Sequence, residues 1–130
     1  MRSSKSWCPQ LVGIVFLVLP GCQKLVYQKT IKLKVGGVET FLIDAPRSTQ
    51  QVTVTVSSPG TEVDACIVLE RDRMAAETAL RIEERPSDTL AQDRGEDLTL
   101  SATIPARSGF SIIISGAQKP CEVKLRVTGG

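Results

Sequence analysis

The chain has 130 residues, a formal net charge of +2 and no histidine, which allows one domain plus a processing segment and removes the commonest side chain for acid–base work and metal binding near neutral pH. One Trp, one Tyr and three Phe leave little for base-stacking platforms. Both excess cations, Arg2 and Lys5, precede Cys22; Cys22–Gly130 balances 14 Lys+Arg against 14 Asp+Glu, so no basic stripe and no nucleic-acid partner are expected.

Met1–Trp7 is a short, positive, polar start, and Leu11–Leu19 is a continuous apolar run. A membrane-spanning helix needs about 20 apolar residues, whereas the core of an export leader needs roughly 7–15. The run ends in Leu19-Pro20-Gly21-Cys22, which resembles the lipobox of bacterial lipoprotein precursors. Leu19 and Gly21 match that pattern at the third and first positions before the cysteine; Pro20 departs from the small residue usual between them. The resemblance implies cleavage before Cys22 and diacylglycerol on its thiol. It also implies a further fatty chain on the new amino terminus, giving an exported protein lipid-anchored to a bacterial membrane and facing periplasm or cell exterior. Gln23 leaves inner and outer membrane open, because in enterobacteria an Asp at that position favours inner-membrane retention. Two alternatives stand beside this reading. An ordinary secretory signal wants a small residue where Leu19 stands, and a buried N-terminal strand leaves the flanking cations and the Gly-Cys unexplained. The expected organisation is a leader over 1–21, a lipidated N-terminus and short tether over 22–28, and one β-sandwich over 29–130.

Processing removes Cys8 and acylation consumes the Cys22 thiol, so Cys66 and Cys121 remain. A Cys66–Cys121 disulfide closes a loop of about 56 residues and contributes roughly 4 kcal/mol on the chain-entropy estimate. Two buried free thiols packed as small apolar groups are the alternative. Their spacing suits neither CxxC redox chemistry nor, without histidine, zinc.

Period-two alternation dominates the rest. Ile31, Leu33 and Val35 alternate with Lys32 and Lys34, Gly36-Gly37 signals a tight hairpin, and Val38–Asp44 resumes. Gln51–Ser57 alternates again, Ser58-Pro59-Gly60 is a turn, and Val63–Glu70 is the next strand. Residues 72–85 are rich in strong helix formers. Asp72 is the candidate cap, Glu77 and Arg81 stand at i,i+4, Pro86 is the stop, and Met74, Ala75, Leu80 and Ile82 form an apolar side that caps the core. Strands return at Thr89–Gln92, Asp97–Ile104, Phe110–Ser115 and Glu122–Thr128. The expected fold is mainly β: a single antiparallel β-sandwich of about eight strands, jelly-roll or immunoglobulin-like, with one short helix near 72–85.

The stretches Val63–Leu69, Glu96–Pro105, Gly109–Ile114 and Glu122–Val127 resemble bacterial pre-peptidase C-terminal domains and related jelly-roll sandwiches. Where that family often has aromatics this chain has Ser111 and Ile112, and the family lacks the helical insert. The resemblance implies an accessory or binding module without catalysis of its own.

Candidate sites are few. Asp93, Glu96 and Asp97 surround Gly95 with the hard oxygen ligands that Ca²⁺ takes, although a solvated turn accounts for them as well. Glu83, Glu84 and Asp88 flank a proline in a polar stretch, which suits a solvated helix end. No serine has a nucleophile-elbow setting. The expectation is therefore a membrane-anchored, non-catalytic envelope lipoprotein, needing no cofactor, whose partner is an envelope protein or a polysaccharide. A carbohydrate-binding module is the alternative, with exposed aromatics scarce for sugar stacking. A hydrolase subunit is a second alternative, opposed by the absence of histidine.

Overall fold

Alternating apolar and polar residues produce extended chain almost throughout the computed structural model, which describes residues 14–19 and 22–129, with side chains from Leu25 onward. The strands are β1 (Ile14–Leu19), β2 (Cys22–Leu33), β3 (Val38–Ile43), β4 (Gln50–Ser57), β5 (Val63–Leu69), β6 (Ala91–Gly95), β7 (Asp97–Ile104), β8 (Phe110–Ser115) and β9 (Cys121–Gly129). A 3₁₀ turn over Glu70–Asp72 leads into helix α1 (Arg73–Arg81) between β5 and β6.

All pairings are antiparallel, in a five-stranded sheet ordered β1-β2-β9-β4-β7 and a four-stranded sheet ordered β3-β8-β5-β6. Setting β1 aside, the other eight strands in chain order run first-eighth-third-sixth against second-seventh-fourth-fifth. That is a jelly roll, two sheets wound as paired Greek keys. The expected β-sandwich is therefore present, and its Greek-key winding selects the jelly-roll alternative.

The core fills the space between the sheets. One side supplies Val52, Val54 and Val56 of β4, Leu98, Leu100 and Ile104 of β7, and Val123, Leu125 and Val127 of β9. The other supplies Val63, Ala65 and Ile67 of β5 with Phe110, Ile112 and Ile114 of β8. Strand β7 alternates buried and exposed residues along its whole length, whereas every residue of β8 is buried. The difference has a cause in the layers. The outer face of β7 meets solvent, while α1 lies over the outer face of β8.

Several expectations are corrected here. Gly36-Gly37 is not a hairpin turn: β2 and β3 belong to different sheets. The Gly37 N–H donates to the Lys34 carbonyl at 2.9 Å, and Gly36, the third residue of the turn, has φ 75°. That is type II geometry, which splays the flanking strands rather than pairing them, and so carries the chain across the sandwich. The predicted strand at Thr89–Gln92 falls at Ala91–Gly95 instead.

The helix is shorter than 72–85. It ends at Arg81, five residues before the Pro86 stop, in a two-bond cap where Glu84 N–H donates to Ala79 O (2.8 Å) and Glu83 N–H to Leu80 O (3.1 Å). Glu83 takes the left-handed φ of 61° that this cap requires. Asp72 occupies the N-cap position without a side-chain capping bond. Glu77 does not pair with Arg81. It receives Arg73 (3.3 Å) from one turn earlier and the Thr40 hydroxyl (2.5 Å) from β3, which pins the helix to the sheet. The buried side of α1 is Ala76, with Leu80 partly buried one turn on, over Cys66, Val68 and Ile113. Met74 and Ile82 stand 72% and 61% exposed, because their positions on the helix turn them away from that contact.

Ile14–Leu19, which the leader reading would remove, forms an edge strand against Cys22–Tyr27. The jelly roll is complete without it. The remaining expectations about the leader, including the cleavage residues Pro20 and Gly21 and the acylated side chain of Cys22, lie outside the described residues.

Candidate functional site

The outer face of the four-stranded sheet is organised in rows across the strands. Val38, Ser115, Asp64 and Arg94 form one row, and Thr40, Ile113, Cys66 and Gln92 the next. Helix α1 covers the second row only in part. Between its C-terminal end, the β2–β3 turn and the segment leading to β6 lies a groove of ≈ 530 Å³.

The floor of the groove is apolar. Cys66 and Ile113 are fully buried there, and Val38 and Leu80 partly so. Val35 (59% exposed) and Ile82 (61% exposed) offer apolar side chains to solvent, Val35 at the rim and Ile82 at the adjoining helix end. The polar groups are bonded to one another. Arg94 donates to Asp64 (2.9 Å) and to the Gly116 carbonyl (3.3 Å), and lies 3.6 Å from Glu62. Gly116 has φ 79°, and a side chain there would strike the Asp64–Arg94 pair. The Gln92 amide donates to Pro86 O (3.3 Å) and Thr89 Oγ1 (3.0 Å) and accepts from Arg85 (3.2 Å). Those bonds hold the post-helix segment as one wall.

The arrangement suits the capture of an apolar side chain between polar rims, and it has no activated nucleophile. Burial pushes the Cys66 thiol up to about 11, with Asp64 adding to the rise and a backbone hydrogen bond at Ile113 opposing it. A thiol that stays protonated at neutral pH is a poor nucleophile and a poor ligand.

The structure separates the residues singled out in the sequence. Cys66 and Cys121 are free, which overturns the predicted disulfide. Adjacent residues of a strand face opposite sides. Ala65 and Ile67 point into the sandwich, so Cys66 points out beneath α1. Cys121 packs against the inner core, within 3.5 Å of the Ser58 hydroxyl. Asp93, Glu96 and Asp97 do not converge as a Ca²⁺ site, and among the described residues no group of three metal-ligating side chains gathers. Asp93 Oδ1 accepts the Arg94 N–H (2.8 Å), Glu96 accepts the Gly60 N–H (3.0 Å), and Asp97 begins a strand of the other sheet. Glu83, Glu84 and Asp88 are exposed at the groove rim or beyond it, far from the desolvation a catalytic pair requires.

Sequence reasoning missed two features. The Asp64–Arg94 pair is set by strand register and leaves no local signal. The second is a segregation of charge. Within Cys22–Gly130, residues 62–97 carry 11 acidic and 5 basic side chains, and the remainder carries 3 acidic and 9 basic. A balanced total hides a segment of net −6 against a remainder of net +6, and a windowed charge count would have found it.

No family model matches the chain, and no curated protein matches its sequence significantly. Solved structures do share its fold. The crystal structure of Aeromonas hydrophila PliG, a periplasmic lysozyme inhibitor of g-type lysozyme, matches with a TM-score of 0.58 at 10% identity, over 81% of this chain and 86% of that one. The Yersinia pseudotuberculosis-derived mitogen matches with a TM-score of 0.56 at 6% identity, over 79% and 84%. At such identities the likeness is one of fold.

Proposed function

We propose that this chain is an exported, lipid-anchored envelope protein whose jelly-roll domain binds a protein partner on its α1 side and catalyses no reaction. The observation that carries the binding reading is the groove. Its apolar floor and exposed Val35, with Ile82 exposed at the adjoining helix end outside the lining, stand beside polar groups already bonded to each other, which suits docking better than turnover. The net charge of −6 over residues 62–97 favours a partner with a basic surface. Support for export and anchoring comes from the leader pattern ending in Leu19-Pro20-Gly21-Cys22. The fold shared with a periplasmic lysozyme inhibitor makes lysozymes the first partners to test.

The test has two arms. Mass spectrometry of the protein isolated from membranes should give an N-terminal residue Cys22 carrying its acyl groups. The same preparation should then be titrated against g-type and other lysozymes and against a glycan array. Saturable binding to a lysozyme that weakens at least about tenfold in Ile82→Glu or Val35→Glu supports a protein partner at the groove, since tenfold corresponds to about 1.4 kcal/mol. Robust glycan binding with no effect of those substitutions would replace this reading with the carbohydrate-binding one.

A further inference from the structure

We infer that the outer face of β2 and β9 lies on an anionic bilayer surface, so that the α1 side points away from the membrane. This rests on the lipid anchor at Cys22. Strand pairing assembles the face from residues that are scattered in sequence. Arg126 stands opposite Gln28, Lys124 opposite Thr30, and Lys32 opposite Glu122. Lys29 belongs by alternation to the inward set, yet it is exposed, two residues past the end of the β1 pairing at Tyr27, and Lys34 follows directly after that strand. Among the described residues, none of Lys29, Lys32, Lys34, Lys124 and Arg126 has a carboxylate within 4.0 Å. Around Lys124 and Arg126 the surface is a shallow trough of ≈ 520 Å³, in which Lys29 is a third cation, Asp97 the one carboxylate, and Gln28, Thr30, Thr55 and Thr99 are uncharged.

Position and reach favour a bilayer as the occupant. The cationic strand β2 begins at Cys22, the residue that would carry the lipid, and Leu25 already pairs with Gly129 of β9. The connection spans about 10 Å at ~3.3 Å per extended residue. The field of an anionic leaflet decays over about 8–10 Å. A domain held this close lies within the field and turns its cations toward it. The acidic elements β5, α1 and β6 belong to the opposite sheet or lie over it, about 10 Å farther out for the sheet alone, where repulsion is weakest. Clustered cations beside a lipid supply the second attachment signal that strengthens peripheral anchoring.

The test uses the lipidated chain in vesicles of phosphatidylcholine alone or with about one third phosphatidylglycerol, followed by amine acylation read by mass spectrometry, with Lys119 as internal reference. Lys29, Lys32 and Lys124 should label about fivefold more slowly on the anionic vesicles, and the difference should vanish at about 0.5 M salt. The charge-reversed pair Lys124→Glu and Arg126→Glu, on exposed positions, should abolish the protection of Lys29 and Lys32. Equal labelling on both vesicles with Cys22 acylated overturns the orientation alone. Unmodified Cys22 overturns the anchor and the orientation together.

Discussion

Cys66 links the groove floor to a measurable pH dependence. It is 3% exposed beneath α1, and burial raises its thiol from 9.0 to about 11. Below about pH 9 both folded and unfolded chains keep the proton, so the contribution to stability is full there. Between 9.0 and about 11 the unfolded chain ionises while the folded one does not, and stability falls. A gap of about two pH units at 1.36 kcal/mol each predicts a loss of about 2–3 kcal/mol across that window. Cys66→Ala removes the titration at a packing cost of about 1 kcal/mol that is independent of pH. The assay is urea unfolding in reductant from neutral pH to about pH 11, plotted as wild type minus Cys66→Ala, so that Tyr27 and the lysines cancel. The difference should be constant below about pH 8.5 and move by about 2–3 kcal/mol against the wild type by pH 11. A difference that stays constant would refute the burial argument.

The same burial predicts that, without denaturant, Cys121 reacts readily with a thiol reagent at pH 8 while Cys66 reacts only on unfolding; a protein with neither thiol titratable would restore the disulfide. Ser111 Oγ is buried with no partner. Ser111→Ala should therefore stabilise the domain by about 1 kcal/mol, since an unpaired buried hydroxyl costs about 1–3 kcal/mol, and denaturant midpoints at unchanged m would report it. Glu83→Gly, at φ 61° in the helix cap, should stabilise by about 0.5–1 kcal/mol by the same measurement, because glycine adopts that conformation without Cβ strain. Ile113→Ala opens a cavity where α1 meets the sheet, at a fully buried site. It should cost about 2–4 kcal/mol and loosen α1, seen as faster amide exchange in Ala76–Leu80 than in β9.

Much of this protein was legible before folding, because period-two alternation is a local property. Val52, Val54 and Val56, or Val123, Leu125 and Val127, declare a half-buried strand from their own spacing, and all six lie in the core as read. The helix was legible from composition, but its end was not. Glu83 takes the left-handed position in the cap, a role local propensity assigns to glycine. The site was less legible still. Whether Gly36-Gly37 closes a hairpin or crosses the sandwich, whether Cys66 meets Cys121, and whether Asp64 meets Arg94 all depend on which strands become neighbours and in what register. Those pairings join residues tens of positions apart, and no local pattern encodes them. The sequence by itself determined an alternating, histidine-free, mainly β chain behind a leader-like start. Only the tertiary structure decided that its thiols stand on opposite faces, that α1 roofs a groove, and that cations scattered along β2 and β9 share one surface, because each of these is a property of strand order.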